Sequence, residues 1–429
     1  MDQGNTAFIL LAAALVLLMT PGLAFFYGGL VKAKSVISMM MLSFGAMGLI
    51  GVLWVLYGYS IAFPATSVGT IQSPWAIDPA EFGLESLLTT PEGAAYPPLA
   101  FVAFQATFAI ITVALISGAI ADRAKFGAWL VFATAWATIV YFPVASWVFN
   151  FGLNADTTGP GDVFSYGGWI TYGLQTWIGV GAIDFAGGTA VHINAGAAAL
   201  ALALVLGKRV GFQKGITVPH NPPFVLLGAG LLWFGWFGFN AGSELAADNT
   251  AAVAFVNTIA APAAALLAWL IVEKIRDGKP TSVGAASGAV AGLVAITPAC
   301  AALNPIWAIL LGVIAGAVCC LAVDLKFKLG FDDSLDVVGV HLIGGLIGTL
   351  YIGFFANNTG LFLGGDGRQL LAQAIAAFSV LIYSFVLAFA IGWVIEKTMG
   401  FRVKNEDEIA GIDTVVHGEE GYVLTDARA

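Results

Sequence analysis

Charge is what this sequence has least of. Asp, Glu, Lys and Arg make up only 10% of its 429 residues, whereas soluble domains carry about 25%. Hydrophobic residues make up 59%, and the mean hydropathy is +0.90. So much apolar chain excludes an ordinary soluble domain and makes hydrocarbon the expected solvent. Cysteine is scarce too. Cys300, Cys319 and Cys320 show no metal-ligand spacing and no evident disulfide partner, and they fit as small apolar helix residues. No basic patch interleaves with aromatics, so the net charge of -9 gives no sign of nucleic-acid binding. Met-Asp-Gln-Gly-Asn at residues 1–5 lacks the basic start of a signal peptide, so the first apolar run is expected to be retained. Glycine, in contrast, is plentiful at 53 residues, and small residues let membrane helices approach closely.

Apolar stretches of about twenty residues mark expected spans. Eleven are found, near 6–30, 36–63, 98–121, 127–149, 185–206, 222–242, 250–272, 283–299, 303–325, 335–356 and 370–396. With the N-terminus outside, every Lys and Arg except Arg368 falls in a cytoplasmic loop or the C-terminal segment, as the positive-inside rule requires. Residues 166–182 are apolar enough to suggest a further span, but that span would move Lys208 through Lys328 outside. They are expected instead to belong to a long external loop near the interface, where Trp and Tyr are favoured. The loop at 64–97 is also expected outside, with Asp78, Glu81, Glu85 and Glu92 and no basic residue. The chain is expected to divide into a transmembrane domain at 1–400 and a cytosolic, acidic tail at 401–429 that is available to soluble partners.

Ionisable residues inside spans are costly and mark functional candidates. His192 lies eight residues after Asp184, and His341 eight residues after Asp333, each at the start of an apolar run. These are spans five and ten, so the expected fold is an all-α integral membrane protein with a 5+5 inverted repeat plus one extra helix. Five spans per half invert the second half, a recurrent transporter plan with the site near the midplane. Eight residues reach roughly 12 Å inward from each face, which brings both imidazoles near the centre of a core about 30 Å thick. A lone buried histidine is usually a hydrogen-bonded core residue, but a symmetric pair suggests a conduction path. Imidazole donates at one nitrogen and accepts at the other, and it changes charge near neutral pH. Asp184 and Asp333 are expected mainly as N-caps that also shape the vestibule. His220 and His417 fall in a cytoplasmic loop and the tail. No cofactor or metal is expected, since two histidines without a third ligand make a weak metal site.

Several segments follow one another along the chain: Pro21-Gly-Leu-Ala-Phe-Phe-Tyr-Gly-Gly-Leu30, Phe104-Gln-Ala-Thr-Phe108, Gly118-Ala-Ile-Ala-Asp-Arg123, Asp184-Phe-Ala-Gly-Gly188 with His192 through Arg209, Trp236-Phe-Gly-Phe-Asn-Ala-Gly-Ser243, and Asp336-Val-Val-Gly-Val-His341. In that order they resemble the Amt/MEP ammonium transporters over nearly the whole length. The resemblance implies nitrogen uptake as ammonium, with methylammonium as an analogue, by a homotrimer with one pore per subunit in the cytoplasmic membrane. Its twin-histidine pair corresponds to His192 and His341, and its stacked gate to Phe108 and Phe239. Its external recruitment site maps onto Phe108, Ser243 and an aromatic position after Pro143-Val-Ala. The family's Trp at that position is replaced by Phe149, with Trp147 its neighbour. Phe has a weaker cation-binding face and no indole N–H, so altered affinity is expected. Trp236 and Asp336, within the matching motifs, are expected to support the path. Gly411-Ile-Asp413 and His417-Gly-Glu-Glu-Gly-Tyr422 also resemble the family's tail, which implies a PII-type nitrogen-regulatory partner. Alternatives are an ammonium sensor that signals through its tail with little flux, a membrane enzyme, and an Rh-type gas channel. The enzyme reading lacks a nucleophile or metal cluster beside the histidines.

Overall fold

The computed structural model describes residues 1–64, 79–150, 168–213 and 218–422. Asp78, most of the external loop before Asp184, Lys214 and the tail beyond Tyr422 lie outside the described residues. The described chain is helical, and its β-pairing is a single bridge between Ala124 and Arg402. Among the described residues, ten helices are long and apolar enough to cross a membrane: α1 Gln3–Leu30, α2 Ala33–Ala62, α3 Pro98–Ile120, α4 Phe126–Phe149, α5 Gly188–Leu206, α6 Pro222–Gly242, α7 Asn249–Asp277, α9 Pro305–Leu329, α10 Val338–Phe355 and α11 Arg368–Thr398. At the expected span 283–299 stands the shorter apolar helix α8, Ser282–Ile296, with 15 residues. It stops early because Pro298 has no N–H to continue the ladder. The freed turn packs on the Asp184 loop, where Phe185 N–H donates to the Pro298 carbonyl at 3.1 Å.

Helix starts are written in the local sequence. Asp2 caps α1, and Asn221 followed by Pro222 opens α6. Asp248 accepts from the N–H groups of Thr250 and Ala251 to open α7. Each supplies an acceptor for donors that the first turn leaves unpaired. Packing then depends on small residues. A Cβ on Gly228 of α6 would lie 2.2 Å from Phe26 N of α1, and one on Gly312 of α9 would lie 2.1 Å from the Ala261 carbonyl of α7. Only glycine permits these approaches. α1 packs on α6, the first helices of the two halves, and α5 packs on α10.

Residues 169–178 form only short turns of helix, Trp169–Gly173 and Leu174–Ile178, and do not span. The tail lies on the ends of the bundle that carry the basic loops. Val403 N–H donates to the Arg123 carbonyl at 2.9 Å, and Asp413 accepts from the N–H groups of Ile37 and Ser38 at 3.0 and 2.7 Å. Lys34 Nζ also donates to the Ile409 carbonyl.

Candidate functional site

Both histidines sit on a local widening of their helices. His192 lies in the π-turn Gly188–Ile193 and His341 in the π-turn Val338–Leu342, each opening a long helix. Such turns are rare and cluster at functional sites. The Asp184 carboxylate sets up the first. It accepts from the N–H groups of Gly187, Gly188, Thr189 and Ala190, and from the Thr189 hydroxyl. Gly187 has φ +114°, and a Cβ there would meet Val191 Cγ2 at 2.6 Å, so the turn requires glycine. Asp333 plays the same part for the second turn, accepting from Val338 N–H at 2.7 Å. Asp336, at φ +64°, pairs with Lys326 Nζ at 2.6 Å.

The two imidazoles meet. His341 Nδ1 lies 3.2 Å from His192 Nδ1, with ring centroids 5.3 Å apart and planes 24° from parallel. One Nδ1 must donate and the other accept, so a neutral pair shares one proton between these atoms. The Nε2 atoms then differ, one an acceptor and the other an N–H donor. His192 Nε2 is buried without a protein partner. Both rings line a narrow cavity whose other walls include Leu23, Ile111, Leu115, Leu232 and Val290. The pair therefore offers a polar solute one donor and one acceptor between apolar walls.

A stack of rings continues from this pair. His192 lies over Trp236 at 5.4 Å and over Phe239 at 6.1 Å. Phe239 stacks on Phe108 at 4.2 Å and 25°. Phe149 meets Phe108 edge-on at 6.1 Å. Phe108 and Phe239 are 1% and 0% exposed, so the stack closes the path to water. Ser243, just after α6, donates its hydroxyl to the Phe239 carbonyl at 2.7 Å, which leaves its oxygen lone pairs as acceptors. Trp147 does not join this group. Its ring packs at 5.7 Å on Trp169 and 4.7 Å on Tyr383, because the two residues' step from Trp147 to Phe149 turns the side chain by roughly 200°, to the other face of the helix.

Sequence reasoning missed Thr297. Its hydroxyl accepts from Trp236 Nε1 at 2.8 Å and fixes the ring on which His192 lies. No local pattern marks this contact, since α6 and the end of α8 meet only in the fold. Outside the spans, Glu244 follows Ser243 and is pushed up to about 7 by burial and by Asp248 beside it. Among the described residues, no group of three or more His, Cys, Asp or Glu side chains could hold a metal.

Residues 7–422 match the Ammonium Transporter Family. The chain is 55% identical to an ammonium transporter of Mycobacterium tuberculosis, covering 98% of this chain and 90% of that protein. It is 43% identical to an ammonium transporter of Bacillus subtilis, covering 98% and 99%. The crystal structure of Candida albicans Mep2 superposes with a TM-score of 0.83 at 30% identity, covering 95% of this chain and 88% of that one. A structure described as a sensor Amt protein superposes equally well, at 0.83 and 28% identity, covering 96% and 98%. The chain belongs to the ammonium transporter family, as a multi-pass membrane protein that transports ammonium rather than an enzyme.

Proposed function

We propose that ammonium passes along the Phe108–Phe239–His192–His341 column and that the histidine pair is its conduction path. The observation that carries this reading is the Nδ1–Nδ1 contact of 3.2 Å directly beneath a closed aromatic stack. Recruitment takes place where Phe108 and Phe149 present ring faces and edges beside the Ser243 hydroxyl. Aromatic faces attract a cation that is losing its water, and the hydroxyl oxygen replaces one lost hydrogen bond. A metal cation that enters the stack must keep its charge in an apolar cavity, at high cost. Ammonium can hand a proton to the accepting Nε2 and continue as neutral ammonia; the pair passes a proton across the Nδ1 contact and returns one from the other Nε2 beyond the pair, so charge crosses with the molecule. Trp236, Asp184 and Asp333 hold this geometry, and Asp336 acts at the edge of the path through Lys326.

The protein acts in the cytoplasmic membrane with the N-terminus outside and the tail inside. The basic loops all fall at the tail's end of the bundle, which supports this orientation. Assembly as a homotrimer and contact with a PII-type protein on the tail face follow from the family resemblance. The tail docks on the bundle where Glu408 and Asp413 accept from the N–H groups of Val210 and Ser38 and the Tyr422 hydroxyl bonds His220, a placement suited to regulation. On this reading residues 1–400 are the transmembrane transport domain and 401–429 its cytosolic regulatory tail. The likeness to a sensor Amt protein favours a second reading, in which bound ammonium is signalled through the same tail with little flux.

Purified protein in liposomes decides between these readings. We expect ammonium flux and current in the parent and a large loss of ammonium selectivity in His192→Ala and His341→Ala. Unchanged, selective flux in both variants would refute the histidine path. Absent flux in the parent, with ammonium binding retained, would favour the sensor.

A further inference from the structure

α11 lies outside the two five-helix halves, yet its buried face carries polar side chains. Gln369, Gln373 and Ser384 are 3%, 0% and 0% exposed. All three reach the segment that carries His192. Gln373 Oε1 accepts from Ile183 N–H at 2.6 Å, while its Nε2 donates to the Ile183 carbonyl at 2.7 Å and to the Thr349 carbonyl at 3.1 Å. Gln369 Nε2 donates to the Gly181 carbonyl and to Gln373 Oε1, both at 3.1 Å. Ser384 Oγ donates to the Asn194 carbonyl at 2.8 Å.

A glutamine amide has two donor hydrogens and two acceptor lone pairs, and Gln373 uses all four. Two of the bonds go to the N–H and the carbonyl of one residue, as a neighbouring β-strand would bond it. That pattern fixes register as well as distance, because a slip of one residue breaks both bonds together. Ile183 precedes Asp184, whose carboxylate builds the π-turn of His192. Asn194 lies two residues beyond His192, so α11 grips that segment on both sides. Thr349 lies on α10, the helix of His341, so the same amide also touches the second histidine's helix. A buried amide in a membrane helix is costly and is retained where it serves a function.

We propose that Gln373 is the positioning residue of the histidine pair: it locks the His192 segment to the His341 helix from outside the repeat and so sets the imidazole spacing. The inference rests on the histidine pair being the conduction path.

The test compares ammonium flux with potassium flux, from pH 6 to 8, for full-length protein in liposomes. Gln373→Leu keeps the size and removes every hydrogen bond, whereas Gln373→Glu keeps only the acceptors. We expect Gln373→Leu to lower the ammonium-to-potassium ratio by about tenfold and shift its pH profile, because displacements of about 1 Å change rates by such factors. Gln373→Glu should fall between Gln373→Leu and the parent. A purely structural amide would lower thermal stability and yield while leaving ratio and profile intact, and that outcome overturns the proposal. If Gln373→Leu does not fold, Ser384→Ala and Gln369→Leu carry the same test, with a ratio lowered at least twofold expected and an unchanged ratio overturning it. His192→Ala is the control. If it changes the ratio and the α11 variants do not, the positioning role alone fails; if His192→Ala leaves the ratio intact, the conduction path itself fails.

Discussion

The two histidine segments share a spacing and a π-turn, but their supports differ in kind. At the His192 end, the Asp184 carboxylate is filled by four backbone N–H groups and a hydroxyl, and the amide of Gln373 backs it. Among the described residues, no ion pair involves Asp184. At the His341 end, Asp333 accepts from one backbone N–H, and its surroundings are ionic. Lys326 pairs with Asp336, and Arg209 pairs with both Asp332 and Asp122. Burial would raise Asp332, but the Arg209 guanidinium bonded to it holds it below the usual carboxylate range. This charged group also touches the tail. Glu408 accepts from Val210 N–H beside Arg209, and Val403 bonds the backbone of Arg123, whose guanidinium donates to the Asp332 carbonyl at 2.6 Å. Backbone N–H groups fixed in one turn hold the Asp184 carboxylate rigidly, whereas side-chain ion pairs can re-pair when a partner docks. We expect the His192 end to be the more rigid and the His341 end the more adjustable.

Removing the carboxylates tests that contrast most strongly. Asp184→Ala leaves four N–H groups in the turn without their acceptor, and charged hydrogen bonds are worth about 1.5–3 kcal/mol each. We expect loss of the folded protein or a flux lowered more than tenfold, read by thermal unfolding in detergent and by uptake. Asp333→Ala should cost only about 1–2 kcal/mol, as for an ordinary N-cap. Equal losses would erase the distinction.

A pH effect comes next in size. Burial pushes Asp333 up to about 6, against the pull of Lys326. A raised carboxylate binds its proton more tightly in the folded state. Its contribution to stability is therefore complete below the usual value of about 4 and is lost as pH rises through 6, by roughly 2–3 kcal/mol. Asp333→Asn should flatten unfolding temperature across that window. A parent already flat there would show the site to be insensitive to its proton.

The smallest effect lies at the outer rings. Phe149→Trp offers a larger face and an N–H, and we expect half-saturation by methylammonium to fall about threefold, consistent with roughly 0.5–1 kcal/mol of cation–π energy. An unchanged value would place recruitment away from Phe149.

The sequence carried the features that repeat along it. Helix positions came from apolar runs, and the histidine pair from two copies of one Asp-to-His spacing. The contacts that complete the site join residues far apart in the chain and leave no periodic trace. Gln373 bonds a loop 190 residues away, and Asp413 caps a helix 375 residues before it. Phe149 and Trp147 show a subtler limit, because motif spacing put both beside the site while helix rotation delivers only Phe149 to it. The tail was legible as polar and acidic, but its docking on α2 was not, since a cap supplied from another segment resembles any other aspartate.

The shared proton between the histidines has one more consequence. The two neutral arrangements place the hydrogen between these nitrogens, 3.2 Å apart, on opposite rings with the Nε2 hydrogens exchanged to match, and they point the pair's dipole in opposite ways. The pair is thus a one-bit memory. A solute that arrives at the accepting Nε2 with a proton and leaves from the donating one inverts the bit, and the next solute meets a rail facing backwards. Steady turnover by such a relay then includes a reset in which the shared hydrogen returns while one Nε2 loses a proton and the other regains one. These proton transfers are slowed by deuterium, so on the proposed path throughput should be lower in heavy water even where binding is not.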